Sequence, residues 1–254
     1  MADNISVSVS DGVLFIGMER PEKKNAITRA MYLAMIDGLR QGAADAAVRV
    51  VLISGSQECF TAGNDLADFA SAKPGDPAVA LHYLEALAAF EKPVVAAVAG
   101  VAVGIGTTML LHCDLVYAAT STRFQLPFVN LGLCPEAGSS YLLPSLIGQR
   151  RAAELLFFGE PFGAEQARDF GIVNEIVGER ELLARATQRA QQLAQKPPTA
   201  LRMAKTLLKQ SAGDNIKAAM ARETKQFASL LQGPEAREAM AAFMQRRKPD
   251  FSKF

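Results

Sequence analysis

The chain has 254 residues, with 27 Lys and Arg against 26 Asp and Glu, two His, three Cys and no Trp, and half of it is apolar. That is ample for a sizeable core, and it excludes the disordered, fibrous and disulfide-scaffold classes, the three scattered Cys reading as reduced thiols in a cytosol-like compartment. A formal charge of +1 offers no field for nucleic acid or an anionic membrane, no apolar run reaches the roughly 18 residues of a membrane span, and the opening MADNISVSVSDG lacks the regions of a signal peptide.

Residues 1–20 alternate or run apolar around Asp11-Gly12, which predicts a β-hairpin. Thr28 is placed to cap a helix whose apolar side is Met31, Ala34, Met35, Gly38 and Leu39. Val48 to Ile53 is a short continuous apolar run, the mark of a strand buried on both faces. A turn, Thr61-Ala62-Gly63-Asn64-Asp65, follows it, and Ala70 to Pro77 reads as a loop. Pro93 to Val98 predicts a strand, Gly100 to Gly106 a Gly-rich turn, Thr107 to His112 a helix, and Asp114 to Ala118 and Ile172 to Val177 further strands. Strands alternating with helices define an α/β core. From about Glu179 the texture becomes Ala, Gln, Lys and Arg-rich, with breaks expected at Pro197-Pro198, near Gly213 and at Gly233-Pro234. This predicts three or four helices without a strand, a helical cap or oligomerisation arm, and divides the chain into a core over 1–195 and a helical region over 196–254.

The residues narrow the chemistry. His82 and His112 lie 30 positions apart and Cys59, Cys113 and Cys134 form no C-x-x-C pair, so no metal site is expected. A Cys–His nucleophile pair is left open beside the commoner role of a buried, inert thiol. Gly104-Ile105-Gly106 follows a strand and opens a helix but lacks the third Gly of a dinucleotide fingerprint, and there is no G-x-S-x-G elbow. The two turns, Ala62 to Asp65 and Gly104 to Gly106, have two readings. Their glycines serve chain reversal alone, or their backbone N–H groups converge on a developing oxyanion. Glu136, in Pro135-Glu136-Ala137-Gly138-Ser139, likewise serves a helix macrodipole or acts as a base whose pKa apolar surroundings raise. Asp65 is read as pinning its turn, and His82 as a surface or packing residue.

Taken together and in order, several motifs resemble the crotonase (enoyl-CoA hydratase/isomerase) superfamily. They are Arg20-Pro21 to Ala26, Phe60 to Leu66, Ala99 to Gly106, Cys113-Asp114, Pro127, Leu131-Gly132 and Arg247 to Phe251. The resemblance, which runs from about Ile5 to Phe251, implies a spiral of ββα turns with a helical C-terminal region that drives formation of a homotrimer or hexamer. It puts the oxyanion donors on the N–H groups of Asn64 and Ile105. It lines an acyl-CoA track with Lys24, Ala26, Ala62, Gly63, Asp65, Leu66 and Gly104, with Phe128 and Leu133 helping to exclude water. Hydratases of this superfamily use two glutamates, and the matching positions here hold Thr108 and Phe128. Pro135 to Tyr141 and Gly63 to Leu66 instead resemble the peroxisomal-type Δ3,Δ2-enoyl-CoA isomerases, in which one glutamate, matching Glu136, is the base.

The resemblance therefore implies an isomerase of fatty acid β-oxidation with an acyl-CoA thioester as substrate and no separate cofactor, the CoA arriving with the substrate. A hydratase, an isomerase or hydrolase of a cyclic or aromatic acyl-CoA, and a non-catalytic acyl-CoA binder are the alternatives. The terminal Ser-Lys-Phe is an incomplete peroxisomal address, and the cytoplasm is expected.

Overall fold

Runs of apolar residues without alternation decide the architecture, because a strand that is apolar on both faces has to be covered on both. The computed structural model describes residues 4–70 and 79–254. In chain order the elements are β1 (Ile5–Ser10), β2 (Val13–Met18), α1 (Arg29–Ala44), β3 (Val50–Ser54), α2 (Leu66–Ala70), α3 (Val79–Ala88), β4 (Val94–Val98), β5 (Val101–Val103), α4 (Ile105–Thr108) and β6 (Leu115–Ala119). They continue with β7 (Arg123–Gln125), α5 (Ser139–Ile147), α6 (Gln149–Phe158), β8 (Phe162–Gly163), α7 (Ala164–Asp169), β9 (Glu175–Val177), α8 (Leu182–Ala194), α9 (Pro198–Leu231) and α10 (Pro234–Met244).

A six-stranded sheet runs β1-β2-β3-β4-β6-β9, antiparallel only between β1 and β2. A second sheet of three short strands runs β5-β7-β8. The chain alternates between the two, from β4 to β5 and from β6 to β7, and this alternation winds the spiral. One face of the large sheet (Leu14, Ile16, Val51, Ile53, Ala96 and Val98) joins the main core with Met31, Met35 and Leu39 of α1 and Tyr83, Leu84 and Leu87 of α3. The other (Val13, Val50, Leu52, Val95 and Tyr117) is covered by Leu182, Ala186 and Ala190 of α8. Thr28 does cap α1, its hydroxyl accepting the N–H of Met31 at 3.3 Å.

Three expectations need correction. The segment read as one Gly-rich turn contains β5, a strand too short to show periodicity between its flanking glycines. The helix expected over Thr107 to His112 starts at Ile105 and tightens into a 3-10 turn after Thr108. No break occurs near Gly213: α9 is one helix of 34 residues. A glycine costs a helix only about 1 kcal/mol, and here packing on both sides of it outweighs that. Toward its start Lys205 Nζ, buried, pairs with Asp114 Oδ2 at 2.7 Å and donates to the carbonyl of Lys92 at 2.7 Å. Toward its end Ala219, Met220 and Glu223 are buried. The loop expected over Ala70 to Pro77 lies outside the described residues from position 71 onward.

Because nothing lies within 4 Å of a Cβ built on Gly213, Gly213→Ala should stabilise the protein by about 0.5–1 kcal/mol. Urea unfolding of the two proteins side by side measures it, and a destabilised variant would contradict a helix continuous through this point.

Candidate active site

The two turns singled out in the sequence lie against each other, and the backbone holds them there. Thr61 N–H donates to Val101 O at 3.0 Å and Val103 N–H returns to Thr61 O at 3.0 Å, a parallel bridge that adds the Thr61 segment to the edge of β5. Beyond this bridge the chains leave almost no room. A Cβ on Gly63 would sit 2.8 Å from Val103 O, so only glycine fits there, and its φ of +92° favours glycine as well. Gly104, at φ +56° and ψ −117°, then turns the chain into α4. Thr107 Oγ1 fixes that helix by donating to Ala102 O at 2.6 Å. Neither the N–H of Asn64 nor that of Ile105, the first residue of α4, is engaged by an acceptor among the described residues.

The segment Lys24 to Ile27 runs beside the first turn. Ala62 N–H donates to Lys24 O at 2.9 Å, Ile27 N–H to Gly63 O at 2.8 Å and Asp65 N–H to Ile27 O at 3.0 Å. The Lys24 side chain is exposed, and Ala26, Ala62 and Leu66 are half-buried. Asp65 is occupied structurally. Arg20 Nη1 lies 2.6 Å from its Oδ2, and its Oδ1 accepts the N–H groups of Ala67 and Asp68 at the start of α2. Burial alone would raise its pKa, but those hydrogen bonds hold it below the usual carboxylate range. Phe128 and Leu133 are buried in the main core, in the same cluster as Ala137.

Glu136 lies on the loop before α5, not in the helix's first turn as its sequence setting suggested. The N-cap of α5 is Gly138, and two left-handed residues in succession, Ala137 at φ +62° and Gly138 at φ +72°, form the approach. This backbone is braced from two directions. The buried imidazole of His112 donates from Nε2 to Ala137 O at 2.7 Å. Its burial lowers its pKa to about 4, so the ring is neutral near pH 7. From α9, buried Glu223 accepts the N–H of Gly138 at 2.6 Å and that of Ser140 at 2.8 Å. The helix-terminus role that the sequence offered to Glu136 therefore belongs to Glu223.

Among the described residues Glu136 itself has one hydrogen bond, accepted by Oε1 from Thr108 Oγ1 at 3.0 Å. Desolvation raises its pKa from 4.5 to about 7; the Thr108 hydrogen bond opposes the rise and the Glu223 charge adds to it. The group is thus poised to take and return a proton near neutrality. Tyr32 of α1 completes the surroundings. Its hydroxyl donates to Asn64 Oδ1 at 2.5 Å, and burial, with Glu136 close by, keeps it protonated.

His82 is exposed, and Cys59, Cys113 and Cys134 are free thiols whose pKa values burial raises, to about 12 for Cys113, which speaks against a thiolate nucleophile. No cluster of metal-ligating side chains occurs among the described residues. The sequence reading missed Tyr32, which stood in the apolar pattern of α1, and Glu223, one charge among many in a polar helix.

The ββα spiral thus brings together two turn amides without an acceptor among the described residues and a carboxylate of raised pKa, an arrangement chemically suited to an oxyanion and a mobile proton. Residues 8–253 match the enoyl-CoA hydratase/isomerase family, and the chain belongs to it. A crystal structure of an enoyl-CoA hydratase/isomerase from Pseudoalteromonas atlantica T6c superposes with a TM-score of 0.93 at 40% identity, over 98% of this chain and 100% of that one. The 2,3-dehydroadipyl-CoA hydratase of Escherichia coli K12 is 34% identical over 96% of this chain and 97% of its own length. The rat enoyl-CoA delta isomerase 2 is 33% identical over 96% of this chain, which spans 64% of that longer protein. The chain therefore has the crotonase fold and the acyl-CoA hydratase/isomerase chemistry of its family, which acts on acyl-CoA thioesters. No helix among the described residues is long and apolar enough to cross a membrane.

A carboxyl whose pKa is higher folded than unfolded binds its proton more tightly in the folded state, so stability falls as pH rises from about 4.5 to about 7 and is flat above. The raised pKa of Glu136 thus corresponds to about 3 kcal/mol of lost stability at pH 8. Glu136→Gln, which cannot ionise, should be more stable than the parent by about that amount at pH 8 and nearly equal to it at pH 4. Denaturant unfolding at the two pH values tests this, and a gap that does not change with pH would contradict it.

Proposed function

We propose that this protein is a Δ3,Δ2-enoyl-CoA isomerase. The observation that carries the reading is a single carboxylate raised to about 7, Glu136, with Thr108 and Phe128 at the two positions where the resemblance to the family's hydratases implies glutamates. One carboxylate suffices for an allylic shift, whereas positioning, deprotonating and delivering a water calls for a second group.

The substrate is a 3-enoyl-CoA whose thioester oxygen accepts hydrogen bonds from the N–H groups of Asn64 and Ile105. Glu136 takes a proton from C2. The C2–H electron pair becomes the C2=C3 bond of the final product by way of a dienolate, whose oxygen carries the charge against the two amides. Each such donor contributes about 3 kcal/mol, judging by the removal of comparable donors. Protonated Glu136 then delivers the same proton to C4, the C3=C4 double bond is lost, and the conjugated 2-enoyl-CoA leaves. No metal or redox cofactor is required by this balance. Lys24, Ala26, Ala62, Gly63, Asp65, Leu66 and Gly104 border the thioester's path, Asp65 by shaping the turn, while Phe128 and Leu133 keep the reacting carbons dry.

The place of the reaction is the β-oxidation of unsaturated fatty acids, in the cytoplasm. The enzyme acts as a homotrimer or hexamer, for which the exposed Met203, Leu207 and Leu208 on α9 and Phe243 and Met244 on α10 supply apolar contact surface. The 34% identity to a 2,3-dehydroadipyl-CoA hydratase favours hydration as the second reading.

One assay separates the two. Purified protein given trans-3-hexenoyl-CoA should form the conjugated thioester, with little hydration of crotonyl-CoA in parallel, and Glu136→Gln should lose roughly 10²-fold or more. Rapid hydration with an inert 3-enoyl substrate would overturn the isomerase. Because the base must be ionised, kcat should climb with pH through about 7 and level off above. Thr108→Val, which removes the hydrogen bond that favours the ionised form, should move that limb to higher pH.

A further inference from the structure

The C-terminal helices carry a second buried carboxylate that the reaction as written does not use. Glu223 is 6% exposed, lies 25 positions into α9, and spends both oxygens on the amides of Gly138 and Ser140, the two N–H groups that flank the N-cap turn of α5. Around those contacts α9 closes directly over the Glu136 loop. A Cβ on Gly138 would come within 3.3 Å of both Ile216 and Met220, and Cys134 Sγ lies 3.8 Å from Glu223 O. The backbone being held is strained, with Ala137 in the left-handed region that side chains rarely adopt. Such a conformation persists only where its surroundings over-determine it.

We propose that Glu223 is a positioning residue for Glu136, holding the Ala137-Gly138 turn in its left-handed form so that the Glu136 carboxyl meets Thr108 Oγ1 and the reacting carbons, and acting on that carboxyl by its charge. The proposal rests on the reading of Glu136 as the base. Glu223 touches no reacting atom. It acts through two backbone amides, which need the two acceptor oxygens of a carboxylate. The other groups that face Glu136 are Thr108 of α4, Tyr32 of α1 and Cys134 of its own loop. Among the described residues, Glu223 is the one that contributes a negative charge raising the Glu136 pKa.

The test is Glu223→Gln in the full-length protein. Glutamine keeps the size but offers one acceptor oxygen and turns an NH2 toward one of the two amides. The expected result is a folded protein whose kcat on trans-3-hexenoyl-CoA is down roughly ten- to a hundredfold, the loss that goes with a reacting group misplaced by about 1 Å. KM should change little, and the acid limb of kcat should move to lower pH. A purely structural glutamate would lower stability without moving that limb. In parallel, the Glu136 side-chain carboxyl is titrated by 13C NMR, its resonance assigned by its absence in Glu136→Gln, and its midpoint should fall in Glu223→Gln.

A folded Glu223→Gln with the parent's kcat and an unmoved midpoint would overturn the proposal while leaving the isomerase reading intact. If the parent itself shows no isomerase activity, that reading fails, and the NMR titration, which needs no substrate, still decides for Glu223. Should Glu223→Gln not fold, Glu223→Asp decides. It keeps the charge one methylene short, so a reduced kcat at an unshifted limb is expected, and a parental kcat overturns the proposal.

Discussion

Everything at this site depends on two backbone hydrogen bonds, exchanged between Thr61 and the ends of β5. They join segments some 40 residues apart in the chain and bring two amides, Asn64 and Ile105, to the same region without an acceptor among the described residues. An oxyanion is stabilised by dipoles that are already aligned when the charge develops, and a sheet ladder supplies that alignment at no cost during the reaction. The alternation of the chain between a large and a small sheet follows from the same requirement. The large sheet carries the core, while the small one exists mostly as the edge on which the first turn is fastened. Side chains at the turn are chosen to leave this contact undisturbed: glycine at 63, where Val103 O approaches, and Asp65 turned away toward Arg20 and α2.

Against that fixed frame the carboxylate is held in a state of competing influences. Burial drives Glu136 toward the neutral acid, Thr108 favours the anion by one hydrogen bond, and the nearby charge of Glu223 disfavours it. The outcome, close to 7, is what suits a group to exchange a proton near neutrality. The arrangement costs stability, and the protein carries it beside a large, close-packed core of Val, Ile, Leu and Met side chains.

What was legible in the sequence was what is locally encoded. The Asp11-Gly12 hairpin, the Thr28 cap and the apolar runs of β3 and β4 each declare themselves within a few residues, because turn chemistry and burial on both faces leave a short-range pattern. The fold as a whole was recognisable by resemblance, through motifs at the turns where backbone geometry restricts the residue. β5 escaped because three residues between two glycines show no period. The continuity of α9 through Gly213 escaped because helix propensity is weak against packing. Glu223 and Tyr32 escaped for a deeper reason. Their roles come from distances closed by tertiary structure, 85 positions in the case of Glu223 and Gly138, and nothing beside them in the chain marks them out.

The length of α9 has a consequence for how the protein comes into being. Its 34 residues span about 50 Å, and along that length it carries both the Lys205 that pairs with Asp114 and the Glu223 carboxylate. A ribosome releases the chain in order, so the loop bearing Glu136 emerges long before the segment whose acceptors match the Gly138 and Ser140 amides. Until the final fifth of the chain has been made and α9 has docked, those two donors have no partner from Glu223 and the left-handed turn lacks one of its two braces. The strands and both glycine turns can be complete at that stage. The order of synthesis thus allows an interval in which the two turn amides are in place before the loop bearing Glu136 is locked.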